Sequence, residues 1–218
     1  MKQDVLKLFM VLTLMIAVVG CKKKADEATT TDAVEASEAQ VMSTKYMTNP
    51  AESVINWKGF KPTGTHNGTI KIDSGVLTVT DGEVESGSFI IDMNSIVNLD
   101  IPADKEGNGK LVGHLKSADF FDVEKFPNAA FEVTGFEEKD GQTMLSGNLM
   151  LKEKKNNITF PVSVSENGDE MTLTSETFTI DRSKWDVKYG SKSFFDDLGD
   201  KFINDDIELM ISVKAKKS

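Results

Sequence analysis

Apolar and polar residues alternate over short segments of this chain from Tyr46 onward, and glycine, asparagine and aspartate residues separate the segments. Because successive side chains of a β-strand point to opposite faces, this period of two indicates strands with one buried face. The last segment places Ile207, Leu209, Ile211 and Val213 on one face, and Met210 is an apolar exception on the other. The pattern predicts further strands around residues 55–57, 70–72, 76–80 and 89–93, and at 130–136, 144–151, 158–165 and 171–180.

Turn residues connect these segments in the manner of hairpins. Asp81-Gly82, between two alternating segments, is a strong signal for a two-residue hairpin loop. Two stretches depart from the pattern: residues 109–121 carry apolar residues at helical spacing, and residues 184–205 predict a long irregular connection. Eight or more antiparallel strands with one short helix predict an all-β closed barrel, since closure removes exposed strand edges. Such a barrel either fills its interior with side chains or encloses a small ligand, and periodicity leaves both open.

The N-terminus has the pattern of an export signal. Lys2 and Lys7 precede an apolar run at residues 8–19, whose helical length of about 18 Å is too short to span a bilayer. The run ends at Gly20-Cys21, which resembles the lipobox of bacterial lipoproteins, where a cysteine is acylated, for example with palmitate. We therefore expect a signal peptide at 1–21 and lipidation of Cys21. An ordinary signal peptide with an incidental cysteine is the alternative.

Residues 22–44 differ in composition from the rest, with many Ala, Thr, Asp and Glu residues and few large apolar ones. This composition predicts a flexible tether with a reach of about 25 Å, followed by a folded domain at 45–218. An aspartate directly after the cysteine would resemble an inner-membrane retention signal, but this position holds Lys22. The sequence therefore favours anchoring to the outer membrane of the cell envelope. Without residues 1–21, which hold two lysines and one aspartate, the net charge falls from −10 to −11. This charge argues against a nucleic-acid partner.

Several motifs resemble the YceI-like family. The most specific is HLKSADFFDV at residues 114–123, followed by Phe126-Pro127. Other similar pieces follow the family order, at residues 53–57, 66–68, 89–96, 147–151, 160–162 and 181–183, so that the resemblance covers residues 46–215. It implies an elongated, lipocalin-like barrel that holds a polyisoprenoid, an isoprenoid quinone or a similar long apolar chain. The sequence departs from the family at Trp185 and Asp186, where phenylalanine and glycine are common, which bears on the identity of the ligand.

A hydrocarbon ligand requires a long apolar lining. On the predicted inward faces we expect Ile55, Trp57, Ile70, Phe89, Ile91, Phe131, Val133, Leu149 and Phe160 to line the cavity, with Phe120 and Phe121 closing its flank. Plain core packing is the alternative for each of these residues.

Three polar residues are candidates for the rim or a headgroup contact. Arg182 is the only arginine of the chain, and it either pairs with a carboxylate, such as Asp181 or Asp186, or meets a headgroup. His66 and His114, the only histidines, have either a structural hydrogen-bonding role or a place at the rim. Neither the histidines nor the aspartates at residues 196–206 show the spacing of a metal site.

The sequence therefore predicts a binding protein with no cofactor beyond its lipid and with a membrane contact through the acyl anchor. No nucleophile elbow, P-loop or dinucleotide motif suggests an enzyme. The alternatives are a filled barrel that serves as a structural or interaction protein of the envelope, and a lipid-modifying enzyme that depends on His66 or His114. The sequence leaves the oligomeric state open, a dimer included.

Overall fold

The computed structural model describes residues 25–40, 42–80 and 83–218. The predicted signal peptide with Cys21, and the Asp81-Gly82 turn, lie outside the described residues. The strands are β1 (Asp26–Glu27), β2 (Thr29–Asp32), β3 (Thr44–Thr48), β4 (Val54–Lys61), β5 (Gly64–Thr80), β6 (Glu83–Asn98), β7 (Asn128–Lys139), β8 (Gln142–Leu151), β9 (Lys154–Asn167), β10 (Glu170–Ser175), β11 (Phe178–Asp181) and β12 (Asp206–Lys217). One α-helix, α1 (Glu106–Lys116), lies between β6 and β7, and 3-10 turns form at Arg182–Trp185 and Gly199–Lys201. No helix among the described residues is long and apolar enough to cross a bilayer.

The strands form one sheet that curves into a ring and is antiparallel apart from the pairing of β1 with β11. From β4 to β10, each strand pairs with the next, apart from α1 between β6 and β7, and β12 pairs with both β10 and β4. β3 continues the position of β4 along β5 and β12, and β11 continues that of β10 along β12. The described residues thus form eight positions around the ring, which confirms the predicted all-β, lipocalin-like barrel of about eight strands.

The register explains why the period of two was informative. In β12, Leu209 lies opposite Trp57 and Ile211 lies opposite Ile55, so the apolar faces of β12 and β4 coincide. Thr80 of β5 pairs with Glu83 of β6, the register expected for a two-residue hairpin connection. Residues 184–205 form the irregular connection that the sequence predicted.

The helix begins and ends earlier than predicted. It covers Glu106–Lys116 instead of 109–121, and residues 117–126 continue as turns. The Ser117 hydroxyl and backbone N–H both donate to the carbonyl oxygen of His114, which ends the helix. Apolar spacing alone did not reveal this stop.

One part of the barrel is filled with aromatic side chains. The ring centroids of Phe160 and Phe178 are 4.2 Å apart with an interplanar angle of 8°, and those of Phe131 and Phe160 are 5.9 Å apart. A Cβ atom on Gly147 would clash with the ring of Phe131. Glycine at this position therefore lets an aromatic ring lie flat across the sheet.

The largest departure from the sequence prediction concerns the tether. We call residues 25–40 the N-terminal belt, because this segment lies along the barrel instead of extending freely from it. β1 pairs in parallel with β11, and β2 pairs with β9 in the antiparallel sense. Both amide atoms of Asn148 hydrogen-bond the backbone of Val34, with distances of 3.1 Å and 2.6 Å.

The expectation of an unstructured tether is therefore wrong for this segment. The belt buries only a small apolar side chain, Ala28, which is 4% exposed, and it is held mainly by backbone hydrogen bonds. A prediction based on the burial of large apolar residues does not detect such pairing. The Thr29-Thr30-Thr31 run, with its preference for strands, was the available signal.

Candidate functional site

A cavity of about 250 Å³ lies between the barrel wall, helix α1 and the connection that follows β11. Its wall is mainly apolar and comes from several strands, so that no single segment of the sequence contains the site. Helix α1 contributes Leu111, His114 and Leu115, which its turn spacing of three and four residues places on one face.

Six of the predicted lining residues are brought together in this cavity. They are Ile55, Trp57, Ile70, Ile91, Phe120 and Phe121. The three predicted rim residues, His66, His114 and Arg182, also border it. This placement is geometric, and the binding role of these residues stays a prediction.

Five other predicted residues do not line this cavity. These residues belong to the packed core, which is the alternative that the sequence left open for each of them: Phe89, Phe131, Val133, Leu149 and Phe160. The reason is local, because aromatic rings stacked on one another and on glycines fill the interior around them. Inward orientation could be predicted from the alternation, but the position of the void along the barrel could not.

Sequence reasoning also missed part of the wall. Additional lining residues include Phe60, Met93, Ile96, Leu111, Leu115, Ala129, Leu151, Ile180, Ile203, Ile207 and Leu209. Ile207 and Leu209 were recognised as inward-facing, and Leu111 and Leu115 as one helix face. Their assignment to a cavity required the packing of α1 and β12 against the barrel wall.

Arg182 is a buried organiser of the connection after β11, with a side chain that is 1% exposed. Its guanidinium donates to three backbone carbonyl oxygens, those of Val187 at 2.6 Å, Asn204 at 3.0 Å and Ile203 at 3.1 Å. It also forms an ion pair with Asp205, with an N–O distance of 3.3 Å. The structure thus shows the structural pairing of the two alternatives, with Asp205 as the partner.

The two aspartates that the sequence suggested for Arg182 have other roles. Asp181 accepts a hydrogen bond from the backbone N–H of Ser183 and caps the 3-10 turn. Asp186 forms ion pairs with Lys154 and Lys188. Burial lowers the pKa of Arg182 despite the opposing influence of Asp205 and Asp181.

The departure from the family pattern at Trp185 and Asp186 lies outside the cavity wall. Trp185 is fully buried in the core, and its indole N–H donates to the carbonyl oxygen of Leu149 at 2.9 Å. Asp186 has a φ of 59°, the left-handed conformation that glycine adopts most easily. The tryptophan therefore replaces the phenylalanine of the family at a core position. The aspartate stands where the family commonly has glycine, and it adopts the backbone conformation that suits a glycine.

Each histidine is paired with a carboxylate. His66 Nδ1 lies 2.8 Å from an oxygen of Asp100, and His114 Nε2 lies 3.2 Å from an oxygen of Asp119. Burial raises the pKa of Asp100, but hydrogen bonds from the backbone of Asn67 and from His66 and Asn98 outweigh it, so that the pKa lies below its ordinary value. Both histidines therefore combine a structural contact with a position at the rim.

Within the described ranges, no group of three or more His, Cys, Asp or Glu side chains is arranged to hold a metal ion. Trp57, in the cavity wall, has a buried indole N–H without a hydrogen-bond partner among the described residues. The site is thus a mainly apolar enclosure that is bordered by the partly exposed His66 and His114 and by two buried polar groups, the Arg182 guanidinium and the Trp57 indole N–H.

The structure first defines a class of protein, a closed antiparallel barrel with an apolar cavity. BcnA of Burkholderia cenocepacia has a similar fold, with a TM-score of 0.61 and 20% identity over 78% of this chain and 99% of that chain. A polyisoprenoid-binding domain from Saccharophagus degradans, implicated in plant cell wall breakdown, gives a TM-score of 0.55 and 14% identity over 80% of this chain and 98% of that one.

A family model described as the YceI-like domain matches residues 46–215. The chain therefore belongs to the YceI-like family, which confirms the resemblance carried by its motifs. No curated protein matches this chain. The N-terminal belt lies outside the matched residues.

Proposed function

We propose that this protein binds a long apolar lipid, of the isoprenoid or quinone kind, in the cavity beneath α1. The observation that carries the proposal is the apolar wall around about 250 Å³ of space beside the packed core. Each 100 Å² of ligand surface removed from water contributes roughly 2.5 kcal/mol, so an extended hydrocarbon gains affinity along its length. The polyisoprenoid-binding domain of similar fold supports this ligand class.

The size of the cavity limits how much of such a ligand it holds. Pockets for drug-sized ligands typically measure about 300–1,000 Å³, and this cavity lies just below that range. A segment of a long chain therefore fits, with the remainder extending past the rim near His66 and His114. Partial enclosure of a long apolar ligand suits sequestration or transport, and the signal-like N-terminus supports the cell envelope as the place of this role.

We further propose that the protein is a lipoprotein anchored through acylated Cys21, at the outer membrane of the cell envelope. The signal-like run and the lipobox-like Gly20-Cys21 support this proposal. Because β1 starts at Asp26, the five residues from Cys21 span at most about 18 Å. A barrel held by the belt could therefore not extend as far from the membrane as a barrel on a free tether of residues 22–44. Growth with labelled palmitate tests this, since label should enter the protein and be absent from the C21S variant.

Cavity substitutions test the binding proposal. Ile70→Trp adds bulk to the cavity wall, whereas Met210→Trp adds the same side chain to the outer face of β12 and serves as the control. The chain from residue 22, which contains every described residue, is delipidated and titrated with a polyprenol or an isoprenoid quinone. A ligand that binds the folded state at about 100 times its Kd stabilises it by about 2.7 kcal/mol.

We expect the parent chain and M210W to gain thermal stability on addition of the lipid, and I70W to gain little. Equal stabilisation of both variants would place the ligand elsewhere. The absence of any stabilisation in the parent chain would instead favour the filled-barrel interaction protein.

A further inference from the structure

In the part of the chain that the structure describes, the exposed aromatic residues are concentrated in one segment. Among the described residues, Tyr189, Phe194 and Phe195 are the exposed aromatic side chains, and all three lie within seven residues of one another. Their exposed fractions are 44%, 46% and 50%. We call residues 188–202 the rim loop.

The rim loop is continuous with the cavity. The Tyr189 ring packs edge-to-face against His114, with centroids 4.6 Å apart, and lies 5.8 Å from Phe120. Both of these partners line the cavity. The exposed aromatic surface therefore begins where the wall of the cavity ends.

The loop is held in this position rather than left free. The hydroxyl groups of Ser191 and Ser193 donate to one oxygen of Asp205, at 2.8 Å and 2.7 Å, and Asp205 is the ion-pair partner of buried Arg182. The backbone N–H of Ile203 donates to the carbonyl oxygen of Gly190 at 2.8 Å. The exposure of the two phenylalanines is therefore a property of a braced loop.

The charges of the loop are balanced. Lys188, Lys192 and Lys201 are matched by three aspartates at 196, 197 and 200. The Lys188 ammonium lies 4.8 Å from the centre of the Phe194 ring, and that of Lys192 lies 3.7 Å from the centre of the Phe202 ring. Aromatic rings beside lysines whose stems cover apolar surface suit the boundary between headgroups and acyl chains, and the balanced charge suits zwitterionic headgroups.

We propose that the rim loop docks the mouth of the cavity onto a lipid bilayer, with Phe194 and Phe195 inserted among the headgroups. This inference rests on the proposed function, because a ligand with few polar groups is poorly soluble in water. Such a ligand enters and leaves the cavity most readily where the mouth of the cavity contacts the membrane. The partner is a bilayer surface, and the loop provides its contact independently of any acyl anchor.

Vesicle binding tests the proposal directly. The unacylated chain from residue 22 is sedimented with phosphatidylcholine vesicles, together with the F194S/F195S double variant. The control is M47S/M210S, which removes two exposed apolar side chains from the barrel wall, on β3 and β12. We expect the double variant to lose at least about tenfold in vesicle partitioning, the control to bind like the parent, and high salt to have little effect.

A second measurement reports the position of the loop. A Phe195→Trp variant should show fluorescence that shifts to shorter wavelength on vesicles and is quenched by brominated acyl chains. Equal vesicle binding by parent and double variant, or an unquenched tryptophan, would overturn the proposal. The lipid content of the cavity is measured separately by organic extraction. A parent chain that contains lipid but does not bind vesicles would therefore overturn the docking proposal and leave the proposed function intact. Vesicle binding by a parent without lipid would support the docking and contradict the proposed function.

Discussion

Arg182 offers the sharpest test of how the cavity wall is built, because one buried side chain joins several parts of the connection between β11 and β12. Arg182→Met keeps an unbranched, apolar stem but shortens the side chain and removes the charge and all of its donors. Three backbone carbonyl oxygens then lose their donor, and Asp205 loses its buried partner. Removing one partner of a buried ion pair costs about 3–5 kcal/mol. The lower end of this range applies here, because Asp205 is 18% exposed and keeps the hydroxyl donors of Ser191 and Ser193, and the carbonyl oxygens left without a donor account for much of the cost.

For a chain of this size, each kcal/mol shifts Tm by about 2–4 °C, so we expect R182M to melt roughly 10 °C below the parent. R182K should be intermediate, because an ammonium can pair with Asp205 but cannot reach all of the carbonyl oxygens. The control is Lys154→Met, which removes an exposed ion pair with Asp186 and should cost less than about 1 kcal/mol. Thermal unfolding followed by circular dichroism measures all three. An R182M variant within about 1 kcal/mol of the parent would refute the bracing role.

Three further predictions concern the sheet, the belt and the rim. Gly147→Ala should destabilise the fold by about 1–3 kcal/mol, because the added Cβ clashes with the ring of Phe131. Gly135→Ala is the control and should be tolerated, since its Cβ would lie 3.7 Å from the nearest atom. Equal midpoints of the two variants in urea unfolding would contradict this prediction. Asn148→Ala should speed proteolytic cleavage within residues 25–40 by releasing the belt, and an unchanged cleavage rate would show that the amide does not hold it. Because the folded-state pKa of Asp100 is lowered, its contribution to stability is present above the ordinary carboxyl pKa of about 3.9 and is lost as the pH falls through the lower folded-state value. The unfolding free energy of D100N should therefore fall less on acidification than that of the parent, and identical acid profiles would remove this role.

The barrel could be predicted because strand alternation is a local property of the sequence. In β12, the face that carries Ile207 and Leu209 was recognised from their spacing alone, and the structure places both in the cavity wall. The family motif around Phe120 and Phe121 likewise located one flank of the cavity. These features depend on short stretches of chain, which one sequence contains in full.

The extent of the cavity could not be predicted in the same way. The alternation predicts that both Phe131 and Ile91 face inward, but only Ile91 lines the cavity. The ring of Phe131 instead packs against Phe160 and over Gly147. Which part of a barrel is filled depends on side chains from several strands at the same height. Alternation determines the face of a residue and carries no information about that height.

The belt was missed for a different reason. Its contacts are backbone pairs with β9 and β11 and the amide of Asn148, and none of these needs a large apolar residue in the belt. Composition measures what a segment can bury, so it reports poorly on a segment that is held by hydrogen bonds. Composition predicts that this segment is flexible when it is considered alone. In the folded protein it is ordered because β9 and β11 of the barrel supply strands with which its backbone pairs.

Native mass spectrometry of the chain from residue 22, purified without detergent and compared before and after organic extraction, tests the central claim most directly. The account predicts one bound molecule of a long-chain apolar lipid per barrel, lost on extraction and regained when a polyprenol or an isoprenoid quinone is added. A folded protein that shows only its own mass and takes up neither lipid would contradict the account.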